Sequence, residues 1–332
     1  MKKILNDPFK YVDEMLEGMC LAHPDLYRQT GESGRVIVRA SDTGEGKVGI
    51  VSGGGSGHLP IFTGYVGKGL LDACAIGDVF ASPSVEQMAD AMRAADGGAG
   101  VLRLYGNYGG DIMNFDMAGE MLEMEDITST TVLLADDVAS ASKNEREKRR
   151  GVAGMIYAYK IAGAAAEQMK NLEDVTRIAQ KTADACHSVG AALTSCTVPQ
   201  AGKPTFEISE EDMEMGMGIH GEPGVWRGNL KNADNIANEM VDMLLADINA
   251  VSGSRMSVLV NSLGATPQEE LYILYRIVKE RLESVGVKIV MPLIGRYATS
   301  MEMTGVSFTF CELDDELEDL LLEPAHCAFW NV

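Results

Sequence analysis

Residues 48–83 read VGIVSGGGSGHLPIFTGYVGKGLLDACAIGDVFASP, and the start of this stretch predicts an apolar strand running into a glycine-rich loop. Four of the five residues that follow Ser52 are glycines. Without a Cβ the main chain can approach a ligand closely. The loop lacks the Gly-Lys-Ser/Thr end of a P-loop and the G-x-G-x-x-G spacing of a dinucleotide fingerprint, which disfavours nucleotide binding. Such loops also serve as plain connectors, so it is His58 at its end that favours a site.

Length, charge and cysteine spacing limit the possible classes of protein. A chain of 332 residues predicts two domains. Its formal charge is 28 − 49 = −21, which disfavours nucleic acid and anionic membranes as partners. The six cysteines form no C-x-x-C pair, as is typical of reduced thiols, and predict no metal site. With no membrane-length apolar run and no signal-peptide core at the start, we expect a cytoplasmic protein.

The order of predicted elements is an α/β alternation that occurs twice. Strands near 73–76, 100–105 and 130–134 alternate with helices over 84–95 and up to Met124. Residues 153–170 and 172–189 predict two helices between the domains, and a second alternation begins with a strand over 191–197. The polar, mixed-charge segment 135–151 is interpreted as a solvated loop or frayed helix, with a partner-docking surface as the alternative.

Two of the five histidines, His58 and His220, lie in glycine-rich loops at predicted strand ends and are candidate site residues. Asp111 follows a third glycine-containing connector. It is either the N-cap of the next helix or a general base for a substrate hydroxyl. Because ligands of open α/β sheets bind beyond the carboxyl ends of strands, the His58 and Asp111 loops are expected to face one pocket.

Six motifs occur in the order found in one family: SGGGSGH, GYVGKG, FASPS, NYGGDIMNFDMA, GIHGEPG and LGATP. With them the chain resembles the substrate-binding K subunits of dihydroxyacetone kinases over its whole length. The resemblance implies two α/β domains, each with a mainly mixed sheet flanked by helices. Residues 1–188 are expected to hold the ketose pocket, and residues 189–332 to supply the His220 loop. It also implies a homodimer.

The resemblance further implies a role for each candidate residue. His220 matches the histidine that binds a short ketose covalently as a hemiaminal, Asp111 the base that activates its terminal hydroxyl, and His58 a catalytic residue that hydrogen-bonds the substrate. The substrate-binding set is completed by the loop and connector residues Gly54, Gly55, Ser56, Gly57 and Gly106. No metal site is implied on this chain. Covalent addition selects a carbonyl compound over a polyol such as glycerol.

The cofactors implied by the resemblance belong to a partner. In the phosphotransferase-system-dependent form of the family, a separate L subunit carries ADP or ATP and magnesium. It passes a phosphoryl group to the ketose held on K. The resemblance therefore implies a short ketose and an L subunit as partners, and no nucleotide bound to this chain.

Three positions depart from the family pattern. Leu59 replaces the usual glutamate, Phe62 the usual histidine and Gly106 the usual lysine. The lost lysine, with the space expected at Gly106, motivates a tetrulose such as erythrulose as an alternative substrate. Two hypotheses of a different class are a ketose-binding sensor or coactivator without kinase activity, and a binding protein in which His58 and Asp111 only hydrogen-bond each other or the main chain. Retention of Asp111 favours the kinase.

Overall fold

The computed structural model describes residues 2–332 and folds them into two β-sheets with helices around them. The strands are β1 (Tyr27–Thr30), β2 (Val36–Arg39), β3 (Gly49–Ser56), β4 (Ala73–Val79), β5 (Val101–Gly106), β6 (Ser129–Leu134), β7 (Cys186–Ala192), β8 (Asp212–Met215), β9 (Trp226–Asn229), β10 (Arg255–Ser262), β11 (Lys288–Ile289), β12 (Leu293–Gly295) and β13 (Gly305–Leu313). The helices are α1 (Tyr11–Ala22), α2 (Val85–Ala95), α3 (Gly109–Glu123), α4 (Gly154–Glu167), α5 (Leu172–Ala185), α6 (Ala233–Asp247), α7 (Gln268–Ser284) and α8 (Asp315–Leu322). Among these residues no helix is both long and apolar enough to cross a membrane.

The first sheet has the strand order β1-β2-β4-β3-β5-β6. Its four strands from β4 to β6 are parallel, whereas β1 and β2 pair antiparallel at one edge. Helices α2 and α3 pack on one face, and α4 and α5 on the other. Every residue of β3 is buried, as expected for a central parallel strand covered on both faces.

The second sheet has the order β11-β10-β13-β7-β8-β9, with β12 also pairing with β10. Its pairs are antiparallel except those of β10 with β11 and β12. Both sheets are therefore mixed, and the predicted α/β class is confirmed. The alternating Met213 and Met215 are fully buried on β8, where they fill one face of the strand.

Helices α4 and α5 lie between the two sheets, as their position in the sequence predicted. Helix α4 packs against β3 and β5 of the first sheet and against β7 and β13 of the second. One buried cluster accordingly runs from Val12 through α4 to Trp330. The domain division at residue 188 stays a prediction, and β7 spans that position.

The predicted boundary between the helix over 172–189 and the strand over 191–197 is wrong. Helix α5 ends at Ala185, and residues 186–192 form β7, with its partners β13 and β8 on either side. The sequence carries no breaker here, since Ala183, Ala185 and Cys186 continue the helical pattern. Pairing with strands distant in sequence decides the conformation instead. His187, expected in a helical context, is thus a buried strand residue.

The interpretation of residues 135–151 as a solvated segment is wrong for both aspartates and for Arg149, whereas Lys143, Glu145, Glu147 and Lys148 are exposed. Asp136 and Asp137 are buried, and Asp136 accepts hydrogen bonds from the main-chain N–H groups of Val152 and Gly154. The Arg149 guanidinium is buried and pairs through two hydrogen bonds with Asp247. The sequence pattern could not show this, because Asp247 lies in the other half of the chain.

The last residues return to the first half of the chain. His326 forms a β-bridge with Lys68, and the Ala328 N–H donates to the Tyr27 hydroxyl at 3.1 Å. The Trp330 ring packs edge-on against Tyr65 and Tyr297. Residues 325–332 therefore complete the packing around the segment that follows the glycine loop.

Candidate active site

Three neighbouring strands of the first sheet deliver side chains to one edge. Strands β4, β3 and β5 are adjacent and parallel, so the loops that follow them emerge together. These loops carry Phe80 and Ser82 after β4, His58 after β3, and Tyr108 and Asp111 after β5. The His220 turn of the second half contacts the same place, because its ring lies 4.8 Å from the His58 ring and 4.9 Å from the Tyr108 ring, centroid to centroid.

His58 is buried and is held in one tautomer. Its Nδ1–H donates to the Thr299 carbonyl at 2.7 Å, and its ring stacks on Phe80 with centroids 4.8 Å apart. Burial, aided by the neighbouring His220, lowers the pKa of His58 to about 3, so the ring is neutral at physiological pH. Its Nε2 is buried with no hydrogen-bond partner. This nitrogen can therefore accept a hydrogen bond from a ligand hydroxyl.

His220 is oriented by Glu222, two residues further along the same turn. Its Nδ1 lies 2.9 Å from Glu222 Oε1, while Glu222 Oε2 accepts the main-chain N–H of His220 at 2.9 Å. Burial alone would raise the pKa of Glu222, but the hydrogen bonds and charge of His220 lower it to about 2. An ionised carboxylate only accepts hydrogen bonds, so Nδ1 carries a proton, and in the neutral form of the ring the lone pair is on Nε2. That nitrogen is then free to act as a nucleophile.

Asp111 is the third residue of α3, and the interpretation of Asp111 as an N-cap is wrong. The N-cap is Tyr108, and no side chain caps this helix. Asp111 Oδ1 is buried without a partner. Burial raises the pKa of Asp111 to about 6, against the opposing effects of the Ser82 hydroxyl and His220. A buried carboxylate with a free oxygen and a pKa near neutrality has the properties of a general base.

The glycines of the loop are required by packing against neighbouring segments. A Cβ on Gly54 would lie 2.2 Å from the Phe62 ring, and one on Gly55 would lie 2.6 Å from the Ala81 nitrogen. Gly57 has a φ of +104°, which other residues rarely adopt. Ser56 is buried at the end of β3, where its carbonyl accepts the Phe80 N–H at 3.0 Å. The proposed role of residues 54–57 as a substrate cradle stays a prediction.

Gly106 does not open the space expected from it. A Cβ at this position would lie 3.1 Å from the Tyr108 ring and 3.3 Å from the Gly151 carbonyl. The Tyr108 ring thus fills the region where a side chain would begin. Gly106 therefore leaves no open space for a fourth sugar carbon at this position.

The remaining two departures from the family pattern lie on different sides of the loop. The Phe62 ring is buried beneath Gly54 and meets His58 edge-on at 6.5 Å between centroids. Leu59 lines a neighbouring cavity of about 490 Å³ together with Met15, Pro60 and Phe329. His58, Asp111 and His220 are not among the residues that line this cavity. The glycine loop contributes Ser56 and Gly57 to this same cavity.

Several residues of the site were not predicted from the sequence. Glu222 could have been found, because a carboxylate two residues after a histidine in a tight turn is a natural partner for its ring. Tyr108, Phe80 and Ser82 lie in the motifs but carried no chemical signal of their own. Thr299 could not have been found, because it contributes only its main-chain carbonyl.

The site joins a histidine with a free nucleophilic nitrogen, a neutral histidine acceptor and a buried carboxylate, at the carboxyl edge of an α/β sheet. This defines a class of α/β proteins whose site offers a nucleophile, a hydrogen-bond acceptor and a general base. Residues 17–329 match the Dak1 domain, and the chain belongs to that family.

Two relatives illustrate the range of the family. The chain is 43% identical over 332 residues to the dihydroxyacetone-binding subunit DhaK of PTS-dependent dihydroxyacetone kinase 2 from Listeria innocua, covering 100% of both chains. It is 41% identical over 329 residues to an L-erythrulose kinase from Pectobacterium atrosepticum, covering 98% of this chain and 55% of that protein.

Two solved structures agree with the fold. The dihydroxyacetone kinase of C. freundii superposes with a TM-score of 0.91 at 34% identity, covering 99% of this chain and 60% of that one. A dihydroxyacetone kinase operon co-activator, Dha-DhaQ, superposes with a TM-score of 0.87 at 32% identity, covering 94% and 96% respectively. The predicted family and fold are confirmed.

Proposed function

We propose that this protein is the ketose-binding subunit of a split dihydroxyacetone-type kinase. It binds dihydroxyacetone or a related short ketose on His220 and presents the terminal hydroxyl to a phosphoryl donor carried by an L subunit. The chain is 43% identical to the DhaK subunit of a PTS-dependent kinase over the whole length of both proteins, which supports this assignment. The cytoplasmic location and the homodimer expected from the sequence belong to the same proposal.

The observation that carries the proposal is the hydrogen bond between His220 Nδ1 and Glu222. With the proton on Nδ1, the Nε2 lone pair can add to a ketone carbon. The Nε2–C bond forms as the C=O π bond breaks and the oxygen takes a proton from water. The ring, now substituted at Nε2, releases its Nδ1 proton to water, so Glu222 stays ionised and the step balances. A ketone is thereby distinguished from glycerol by bond formation, which hydroxyl recognition alone achieves poorly.

The remaining polar atoms suit the hydroxyl groups of a bound ketose. His58 Nε2 can accept a hydrogen bond from one ketose hydroxyl. Asp111 Oδ1 can take the proton of another hydroxyl as that hydroxyl's oxygen attacks phosphorus. The two histidine rings lie side by side, and His220 also lowers the pKa of Asp111 against the larger effect of burial, which supports a common site for the three groups. ADP or ATP and magnesium are proposed to reside on the L subunit, which supplies the charge neutralisation that phosphoryl transfer needs.

Carbon NMR with dihydroxyacetone labelled at the carbonyl carbon tests capture directly. The purified chain should convert the ketone signal to a hemiaminal signal, and His220→Ala should abolish it. His23→Ala, at the end of α1 and away from the site, is the matched control and should keep it. A hemiaminal that persists in His220→Ala would refute the mechanism. Phosphoryl transfer from an ADP-loaded L subunit with its phosphoryl-donor proteins, lost in Asp111→Asn, would establish the kinase.

A sensor or coactivator is the second candidate, because the chain is similar over most of its length to a co-activator of a dihydroxyacetone kinase operon. Both candidates share ketose capture, so only phosphoryl transfer separates them. The same assay run with dihydroxyacetone and the two erythruloses decides between a triose and a tetrulose substrate, the latter suggested by the similar L-erythrulose kinase. Hemiaminal formation without phosphoryl transfer to any sugar would favour the sensor.

A further inference from the structure

Arg150 lies at the junction of the two halves of the site, outside the motifs on which the family resemblance rests. It follows the 3₁₀ helix Lys143–Lys148 in the mixed-charge segment between β6 and α4. Its side chain is mostly buried, with 15% of its surface exposed. Such a desolvated guanidinium needs several fixed acceptors.

Within the first half of the chain, Asp137 holds the Arg150 side chain. Arg150 Nε donates to Asp137 Oδ2 at 2.8 Å, and the main-chain N–H of Asp137 donates to the Arg150 carbonyl at 3.1 Å. The main-chain N–H of Arg150 in turn donates to the Ser140 hydroxyl at 3.0 Å. Side chain and main chain together fix the direction in which the guanidinium points.

The second-half contact is the turn that carries His220. Arg150 Nη2 donates to the Gly216 carbonyl at 3.0 Å. Its Nη1 would lie 2.7 Å from a Cβ on Gly218, so this glycine lets the guanidinium lie against the turn. Gly218 is bonded within the turn to both the Glu222 carbonyl and the Gly221 N–H. The guanidinium therefore contacts the base of the turn in which Glu222 orients His220.

The segment around Arg150 is also tied to the Asp111 connector. Asn107 Nδ2 donates to the carbonyls of Glu147 and Arg149, at 2.9 and 2.7 Å. A Cβ on Gly151 would lie 2.6 Å from the Gly106 Cα, so the two segments pack main chain to main chain. The residues on either side of Arg150 thus belong structurally to the loop that presents Asp111.

We propose that Arg150 is a positioning residue that sets the distance between the His220 turn and the Asp111 connector, and hence the efficiency of ketose capture. The inference rests on the proposed function, since it presumes that His220 binds a ketose. Only a planar guanidinium with several N–H donors can bind Asp137 and the Gly216 carbonyl at the same time. A lysine keeps the charge beside Asp137 and loses the second contact.

Arg150→Lys tests the proposal, with Arg146→Lys as the matched control. Arg146 lies in the same segment and donates to the carbonyls of Ala183 and Cys186, which are remote from the His220 turn. We expect Arg150→Lys to lower the affinity for hemiaminal formation, and to raise KM, roughly tenfold with a smaller effect on kcat. Arg146→Lys should leave both unchanged. Thermal unfolding of both variants checks that they lose comparable stability.

A second readout needs no ketose. The nitrogen NMR signals of the five histidines can be assigned by single substitution, and those of His220 report its Nδ1 proton. Arg150→Lys should broaden or shift the His220 signals, whereas Arg146→Lys should not. If Arg150→Lys leaves both the His220 signals and ketose capture unchanged, the role of Arg150 is overturned while the proposed function still stands. Absence of any hemiaminal in the unmodified chain would instead overturn the proposed function and this inference with it.

Discussion

Glu222 and Asp111 show how two buried carboxylates of one site are given opposite properties. Glu222 accepts two hydrogen bonds from His220, and its pKa falls to about 2 despite burial. Asp111 keeps an oxygen without a partner, and burial raises its pKa to about 6. The first is therefore always ionised and suited to orienting a ring, whereas the second can exchange a proton near neutral pH.

Replacing Glu222 should impair capture through the orientation of His220. In Glu222→Ala the imidazole loses its Nδ1 acceptor, and we expect hemiaminal formation to slow by up to roughly 10⁴-fold, as when the orienting carboxylate of a catalytic histidine is changed. In Glu222→Gln the amide oxygen can accept only one of the two His220 N–H groups. An NH2 group that faces Nδ1 would favour the tautomer with the proton on Nε2, so this variant should also be impaired. Carbon NMR spectra of the labelled ketone, recorded at set times after mixing with each variant, give the rates of hemiaminal formation. Equal rates in the alanine variant and the parent would contradict this role.

Replacing Asp111 should stabilise the protein in a defined pH range. Because its folded pKa is raised from 3.8 to about 6, the folded state binds more protons than the unfolded state between these values, and stability falls as pH rises through that window. Asp111→Asn removes this penalty and should raise the free energy of unfolding by up to roughly 3 kcal/mol above pH 6, and by little below pH 4.

Denaturant unfolding at pH 4 and pH 7.5 measures this difference. Asp116→Asn, at an exposed position on the same helix, is the control and should change the free energy of unfolding by less than about 0.5 kcal/mol. Phosphoryl transfer should be lost in Asp111→Asn while the hemiaminal is retained. A gain in stability that is the same at both pH values would show that the effect does not arise from titration of Asp111.

At the scale of elements, the site depends on a tight fit between strand β3 and the segments that follow it. The Phe62 ring occupies the space beside Gly54, and the main chain of residues 80–81 occupies the space beside Gly55. The loop is thus held from both sides by residues of its own half. Its position should be sensitive to single added methyl groups.

Gly54→Ala should destabilise the protein by about 1–3 kcal/mol, because the added Cβ would overlap the Phe62 ring. Gly109→Ala is the matched control, since nothing lies within 4 Å of a Cβ at that position. In a double-mutant cycle, the cost of Gly54→Ala should be smaller when Phe62 is already leucine. Additive free energies of unfolding would show that the ring and the glycine are not coupled.

The sequence predicted elements well where the chemistry was local and failed where a distant partner decided the outcome. The strand before the glycine loop, the helix over 84–95 and the shared edge of His58 with Asp111 could all be derived from periodicity and parallel topology. Strand β7 looked helical because its pairing partner β13 lies more than a hundred residues further along. Arg149 looked solvated because its buried partner, Asp247, lies 98 residues further along the chain. Among the site residues that were not predicted, Glu222 is the one that the sequence pattern could have indicated.

At the scale of the whole molecule, a buried ion pair joins the two halves, and a second buried charged group lies within the first half. Arg149 and Asp247 expose 2% and 8% of their side chains, and His187 contributes a further hydrogen bond to Asp247. Lys47, Arg39 and Asp72 form a second buried group beside β3 and β4. Each such group is stable only while all of its members are present.

Arg149→Met should therefore be strongly destabilising, by about 3–5 kcal/mol, since it leaves the Asp247 carboxylate buried without its main partner. Arg276→Met provides the comparison, because Arg276 pairs with exposed carboxylates and its loss should cost no more than about 1 kcal/mol. Chemical denaturation of both variants at neutral pH gives the two values. Similar costs for the two would show that the buried pair contributes no more than a surface pair.

The return of residues 325–332 to Tyr27, Tyr65 and Lys68 has a consequence for biosynthesis. On the ribosome, the half that contains the glycine loop is made first, but its packing is completed by residues made much later. Contacts of such large sequence separation form late in folding. The nascent chain consequently exposes the surface around Tyr65 until residues 325–332 have been synthesised, and an engineered chain that stopped before Ala325 would leave that surface in contact with water.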